Sequence, residues 1–178
     1  MFKKIAIAIV VLIAAVLLFA ATRPNTFRVQ RSAAIKAPPE KIYGIISDFK
    51  RWGSWSPYEK FDPAMKRTYG DVTSGKGAVY AWEGNSQVGS GRMEITAVSP
   101  PSSITIALDF YKPFTAHNTA EYTLEARPDS TTLVTWAMHG PQPYLAKVMC
   151  LFVNMDKMVG GQFEEGLANL KTVSEKPE

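Results

Sequence analysis

Residues 37–57 read A-P-P-E-K-I-Y-G-I-I-S-D-F-K-R-W-G-S-W-S-P. The two prolines suit the first turn of a helix, where a backbone N–H lacks an intrahelical partner, and Glu40 adds a carboxylate at that positive helix end. Apolar residues then recur at helical spacing: Ile42, Ile45, Ile46 and Phe49. Trp52 and Trp55 follow, three residues apart. The stretch predicts a short amphipathic helix that ends in an aromatic turn and needs a concave apolar partner.

Upstream of this stretch, seventeen uninterrupted apolar residues run from Ile5 to Ala21. This length lies at the short end of what spans a bilayer. A cleaved signal peptide is the rival interpretation, but Phe19 or Leu18 would then stand where cleavage requires a small residue. We therefore expect an uncleaved anchor and linker over residues 1–25, followed by one domain over residues 26–174. The expected location is a bacterial inner membrane, crossed once, with the domain in the periplasm.

Charge and cysteine content limit the possible functions. The 178-residue chain has a net charge of +4, but three of its 20 basic residues flank the apolar run and leave 17 bases against 16 acids. A nearly neutral domain argues against a nucleic-acid partner. A single cysteine, Cys150, excludes an internal disulfide and a cysteine metal cluster.

The region after residue 26 alternates between apolar and polar residues, as strands of an antiparallel sheet with one solvated face do. Strands are expected at residues 27–37, 66–71, 78–83, 87–98, 104–110, 115–126 and 133–139, separated by Gly, Pro, Asn and Asp turns. From Pro143 to about Thr172 the apolar period changes to three or four, which predicts one long helix with a kink or a close backbone approach at Gly160-Gly161. The predicted class is α+β.

Residues 35–57 resemble the start of a known superfamily: I-x-A-P-P-E-K-I-Y is followed by D-F-x-R-W-x-x-W-S-P. Further similarity lies in Tyr80-x-Trp82-x-Gly84, in Lys112-Pro113-Phe114, and in the C-terminal Phe163-x-x-Gly166-Leu167-x-x-Leu170. Over about residues 27–172 the chain resembles the START-related (SRPBCC) superfamily, in its membrane-anchored bacterial branch of polyketide cyclase/dehydrase and lipid-transport proteins. The resemblance implies a helix-grip fold, in which a curved seven-stranded sheet wraps a long C-terminal helix and leaves a cavity between them.

Strand parity gives most of the residues expected to line this cavity, and the aromatic turn and the long helix give Trp55 and Met155. The predicted ligand-binding residues are Trp55, Tyr80, Trp82, Phe110, Tyr122, Trp136, Met138 and Met155. An apolar lining with a few polar points suits a hydrophobic small molecule, and methionines make such a lining adaptable. The alternative is a filled core without a cavity, since aromatic stripes are more often core than pocket.

Signatures of catalysis are sparse. Parity places Arg92, Glu94, Glu121 and His139 on the solvated face, and no third ligand joins the two histidines in a metal site. No nucleophile motif is present, so no catalytic residue, metal or cofactor is predicted. A bulge at residues 89–91 would turn Arg92 and Glu94 inward, where they would become the polar candidates.

These observations lead to one expected function and two alternatives. We expect a membrane-tethered domain that binds a lipid, isoprenoid or polyketide-like compound. The first alternative is a cyclase, dehydratase or hydrolase that uses polar groups of the same cavity. The second is an accessory protein of a membrane complex. The sequence does not determine the oligomeric state.

Overall fold

The computed structural model describes residues 2–177. Its helices are α1 (Phe2–Ala21), α2 (Pro39–Ile46), α3 (Tyr58–Phe61), α4 (Tyr144–Met149) and α5 (Met155–Ser174), with a 3₁₀ helix at Phe49–Ser54. Its strands are β1 (Thr26–Ile35), β2 (Lys66–Tyr69), β3 (Val79–Glu83), β4 (Ser90–Ser99), β5 (Ser103–Lys112), β6 (Ala116–Ala126) and β7 (Thr132–Pro141).

All seven strands form one antiparallel sheet in the order β1-β7-β6-β5-β4-β3-β2. The alternation seen in the sequence is the alternation of burial: in β5, Ile104 and Ile106 are fully buried between less buried neighbours. One face of the sheet is therefore apolar and is covered by helices, because alternate side chains of a strand point to opposite faces. The predicted α+β helix-grip fold with seven strands is confirmed.

The short helix begins and ends where its sequence indicates. Pro39 stands in the first turn of α2, and the helix buries Ile42, Ile45 and Ile46 completely. Asp48 then caps the 3₁₀ helix by accepting a hydrogen bond from the backbone N–H of Lys50. The Trp52 indole donates to the Ile46 carbonyl at 2.8 Å and so ties the aromatic turn back to α2.

The prediction of one long C-terminal helix is wrong in one respect, because the helical region is divided at residues 150–154. There Asn154 begins α5 by accepting a hydrogen bond from the backbone N–H of Lys157. An asparagine side chain at this position satisfies a free backbone N–H in the first turn of α5. It therefore favours the start of a new helix over the continuation of α4. Helix α5 then buries Phe163, Leu167 and Leu170 against the sheet.

Gly160 and Gly161 lie inside α5, which continues through both of them. The close backbone approach predicted there is present at Gly160. A Cβ atom on Gly160 would lie 2.0 Å from Nη2 of Arg31 on β1. This guanidinium bridges Asp156 at 2.8 Å and Glu164 at 2.7 Å, one helical turn on either side of the glycine. The bare backbone at Gly160 therefore lets Arg31 hold the first half of α5 on the sheet edge.

Helix α1 lies apart from the sheet and packs against α4. Its most apolar stretch of eighteen residues has a mean hydropathy of 2.9, and nearly all residues of the helix are exposed. At 1.5 Å per residue the helix is about 30 Å long, which equals the hydrocarbon thickness of a bilayer. This one apolar helix has the length and composition of a membrane span or of a signal sequence.

The two adjacent glycines of α5 generate a matched prediction. Gly161→Ala should raise the free energy of unfolding by about 0.5–1 kcal/mol, because alanine restricts the unfolded chain and the described residues leave its Cβ position open. Gly160→Ala should lower it, because the new methyl group displaces the Arg31 guanidinium from its two carboxylates. Urea unfolding of the full chain in mild detergent measures both changes.

An Arg31→Ala background provides the control. There Gly160→Ala should become as favourable as Gly161→Ala, because the obstructing guanidinium is absent. A destabilisation that persists in this background would show that Arg31 is not its cause.

Candidate functional site

Aromatic rings from the sheet, the aromatic turn and α5 meet on the helix-covered face of the sheet. Tyr80 and Trp82 come from β3, and Phe110, Tyr122 and Trp136 come from β5, β6 and β7. The aromatic turn contributes Trp52 and Trp55, and α5 contributes Phe163. We call these eight residues the aromatic layer. It includes all four tryptophans of the chain.

Ring contacts are closest around Trp136. This ring stacks on Phe163 with centroids 4.1 Å apart and planes 12° apart. Tyr122 lies 5.2 Å from it and Trp55 lies 5.7 Å from it, between centroids. Trp55 and Tyr122 are in turn 6.2 Å apart, edge to face. These separations fall within the range at which aromatic pairs attract one another.

Three polar atoms in this group are buried without a hydrogen-bond partner among residues 2–177: Trp55 Nε1, Tyr122 Oη and Trp136 Nε1. The other polar rings of the layer are satisfied. Trp82 donates to the Val88 carbonyl at 3.0 Å, and Tyr80 donates to Glu59 Oε1 at 2.6 Å. Burial also raises the pKa of Tyr122 well above its usual range, so this hydroxyl stays neutral and available as a donor.

The eight residues predicted to bind ligand divide into three groups. Trp55, Tyr122, Trp136, Tyr80 and Met138 are buried in the core, and Trp82 and Phe110 are half-buried at its side, with ring centroids 5.7 Å apart. Met155 lies away from the aromatic layer, at the first position of α5. It lines a surface recess of about 430 Å³ with Gln142 and residues 150–154, which we call the α4–α5 recess.

The space between the sheet and α5 is occupied by side chains. Trp55 and Tyr122 are fully buried, and Trp136 and Phe163 nearly so. The α5 backbone comes so close to the sheet that a Cβ on Gly166 would lie 2.6 Å from the Trp136 ring. The structure thus shows the aromatic layer in a closed, filled arrangement, and the α4–α5 recess lies outside it.

Sequence reasoning missed Glu59, which lies beside the aromatic layer on α3. Its carboxylate accepts from Tyr80 Oη and, at 2.7 Å, from Nε of Arg67. The hydrogen bond to Glu59 raises the pKa of Arg67. Burial raises the pKa of Tyr80, and the hydrogen bond to Glu59 raises that pKa further. No local spacing pattern marks Glu59, since its partners lie on two strands that pair only in the folded sheet.

The charged residues of the opposite face lie as strand parity predicts. Arg92 and Glu94 pair with each other at 2.6 Å, half exposed, and the local irregularity at Ser90/Gly91 does not turn them inward. Glu121 accepts from Arg28 at 3.1 Å and lies 3.4 Å from His139. Burial alone would raise the pKa of Glu121, but the hydrogen bonds from Arg28 and His139 outweigh it and lower the pKa.

Histidines and carboxylates form pairs on this face. His117 Nδ1 lies 2.7 Å from Asp109 Oδ1 on the neighbouring strand. His139 on β7 lies opposite Thr119 of β6 in the register of the sheet. Within residues 2–177, no group of three or more His, Cys, Asp or Glu side chains is arranged to hold a metal ion.

Solved structures with the same architecture cover nearly the whole chain. Protein CV1439 from Chromobacterium violaceum superimposes with a TM-score of 0.59 at 15% identity, over 87% of this chain and 100% of that one. Protein Ms6760 from Mycobacterium smegmatis gives 0.56 at 22% identity, over 82% and 89%. The di-domain ARO/CYC protein BexL from the BE-7585A biosynthetic pathway gives 0.63 at 12% identity, over 90% of this chain and 54% of that one. At these identities the likeness establishes the fold alone.

Sequence comparison gives the family. Curated protein sequences yield no match. A family model described as polyketide cyclase/dehydrase and lipid transport matches residues 26–175, which is the entire sheet together with α2 to α5. With this match and the helix-grip architecture, the chain belongs to the polyketide cyclase/dehydrase and lipid transport family.

Proposed function

We propose that the domain binds an apolar small molecule within the aromatic layer and that α1 tethers it to a membrane. The observation that carries the proposal is the group of three buried donors without partners: Trp55 Nε1, Tyr122 Oη and Trp136 Nε1. A lipid, isoprenoid or polyketide-like compound with one carbonyl or hydroxyl oxygen supplies both the apolar surface and the acceptor that this group lacks.

The energetics favour such a ligand. A buried polar group left without a partner costs about 1–3 kcal/mol, so an acceptor placed among these donors recovers part of that cost. Burial of the ligand's apolar surface adds about 25 cal/mol per Å². The bulk of the affinity then comes from apolar area, and the donors select ligands that have an oxygen at the right place.

The same three donors explain how a filled layer can admit a ligand. Displacing the Trp55, Tyr122 or Trp136 side chain breaks no side-chain hydrogen bond to a described residue, whereas displacing Trp52, Trp82 or Tyr80 would break one. Moving any one of these three side chains therefore costs packing and ring stacking but no hydrogen bond made by that side chain. The three satisfied rings form the fixed wall, and the three unsatisfied rings form the movable one.

Helix α1 supports the membrane part of the proposal. It is long and apolar enough to cross a bilayer, and lysines precede its apolar run. In this proposal residues 1–25 are anchor and linker, residues 26–174 are the binding domain, and the domain lies on the periplasmic side of a bacterial inner membrane. A tether of this kind keeps the domain where hydrophobic ligands partition.

An enzyme in the same layer has less support. Arg92 and Glu94, the polar groups that a change of strand parity would have brought inward, pair with each other on the outer face. Glu59 adjoins the layer through Tyr80, but both of its carboxylate oxygens are already engaged by Tyr80 and Arg67. A general base in this position would first have to release one of those bonds.

The donors can be tested with two probes of one shape, 9-fluorenone and fluorene, which differ by a carbonyl oxygen. The full chain in lipid nanodiscs should bind fluorenone about tenfold more tightly, since one to two hydrogen bonds of about 1 kcal/mol each separate the two probes. The measurement is equilibrium dialysis of each probe against nanodiscs that carry the protein, corrected with empty nanodiscs.

Two variants make the test specific. Tyr122→Phe should weaken fluorenone binding and leave fluorene binding unchanged, whereas Tyr111→Phe, on an exposed tyrosine outside the layer, should change neither. Equal affinity of the parent protein for both probes would contradict the role of the donors. Absence of saturable binding of either probe would contradict ligand binding in the layer.

Alkaline unfolding tests the burial of Tyr122 without a ligand. Because burial raises the pKa of Tyr122 in the folded chain, its contribution to stability is complete below the unfolded value of about 10 and is lost as the pH rises above it. The urea midpoint should therefore fall between pH 9 and pH 11, and it should fall less for Tyr122→Phe than for the parent or for Tyr111→Phe. An identical fall in all three proteins would show that this hydroxyl is accessible to water.

A further inference from the structure

One end of the sheet collects the segments nearest to α1. Thr26, where β1 leaves the linker, pairs with Pro141 at the end of β7. The β5–β6 hairpin turns at the same end, because β6 is antiparallel to β7 and Thr119 pairs with His139. We call this the anchor end. The opposite end contains Ile35, which pairs with Thr132, and the loop of residues 70–78 between β2 and β3.

Large apolar side chains are exposed at the anchor end. Phe152 is 75% exposed, Leu145 66% and Phe114, at the hairpin tip, 68%. Further exposed side chains on these segments are Tyr111, Tyr144, Met149 and Val153. Clusters of exposed apolar residues of this kind mark surfaces that are covered in the working protein.

Helix α4 joins this surface to the membrane helix. Tyr144 Oη donates to the Leu17 carbonyl at 2.8 Å, one turn before the end of α1. The four-residue linker 22–25 is tied down as well, because the Asn25 carbonyl accepts from the Gln142 backbone N–H at 2.7 Å and the Asn25 side chain accepts from Lys147. The exposed face of α4 is therefore joined to the apolar surface of α1 by hydrogen bonds at the end of that helix and along the linker.

The lack of exposed charge on residues 140–155 suits contact with lipid. Residues 140–155 contain no acidic residue, and their one basic residue, Lys147, is buried and bonded to Asn25. The exposed part of α4 and of the following turn is thus apolar without a charge that would resist lipid contact. Tyrosine and other amphipathic aromatic residues favour the depth of the lipid headgroups.

We propose that α4, the turn 150–153 and the tip of the β5–β6 hairpin insert into the bilayer surface beside α1. The inference rests on the membrane tether of the proposed function and adds a second contact, which sets the orientation of the domain. The sheet then stands with its anchor end on the lipid, and the α4–α5 recess and the first turn of α5 face the bilayer. A ligand leaving the membrane meets the domain at this end.

Site-directed spin labelling of the full chain in nanodiscs tests the contact. In a Cys150→Ser background, single cysteines at Leu145 and Phe152 probe the proposed surface, Leu12→Cys probes the tether, and Val72→Cys is the matched control. Val72 is also an exposed apolar residue, 48% exposed like Met149, but it lies in the loop at the opposite end of the sheet. Accessibility of each label to oxygen and to a water-soluble nickel complex reports its depth.

We expect the labels at Leu145, Phe152 and Leu12 to show high oxygen and low nickel accessibility, and the label at Val72 to show the reverse. Labels at 145 and 152 that behave like the one at 72, while the one at 12 is in lipid, would overturn the second contact and leave the tether intact. A water-exposed label at 12 would overturn the tether and this inference with it. Spin–spin broadening at 152 would assign the surface to a second copy of the chain instead.

Discussion

The stacking of Trp136 on Phe163 joins the two halves of the domain. The tryptophan belongs to β7 in the sheet and the phenylalanine belongs to α5, and their rings lie 4.1 Å apart and almost parallel. Gly166, one turn further along α5, allows this approach because a side chain there would collide with the indole. Trp55 of the aromatic turn and Tyr122 of β6 also pack against the Trp136 ring, so the turn, the sheet and α5 all meet there.

Hydrogen-bond satisfaction divides the aromatic layer into two parts. Trp52, Trp82 and Tyr80 each donate to a fixed acceptor, which locks their orientation. Trp55, Tyr122 and Trp136 bury their donors without one. A core built for stability alone would satisfy these groups or replace them with apolar ones, since each unsatisfied donor is costly. The imbalance is the physical basis for our assignment of a ligand to this layer.

Side-chain bonds also fix how α4 and α5 are placed relative to α1 and the sheet. Ion pairs from Arg31 hold α5 on the sheet, and the hydrogen bonds of Asn25 and Tyr144 hold α4 on the linker and on α1. These bonds fix the exposed apolar residues of the anchor end relative to α1. In our proposals the membrane contact lies on α4, and one ring of the binding site, Phe163, lies on α5.

Local patterns predicted most of the fold. The period-two alternation identified the seven strands, and residues 37–57 identified α2 and its aromatic turn, because burial on one face imposes a period that is visible in short windows. The same reasoning ran α4 and α5 together, because the division at residues 150–154 depends on the Asn154 cap. Gly160-Gly161 predicted a kink or a close backbone approach, and the approach is present, since Gly160 accommodates Arg31 from β1, more than a hundred residues earlier in the chain.

For the site, the sequence by itself determined which strand rings lie on the covered face of the sheet, since side-chain direction follows strand parity. Only the tertiary structure decided that these rings fill the space, that three of their donors lack partners, and that Glu59 holds Tyr80. Met155 was predicted to bind ligand, and the structure places it at the α4–α5 recess, at the first position of the helix that begins after Asn154. Periodicity records the face of each element, whereas contacts between elements depend on distances that no local window contains.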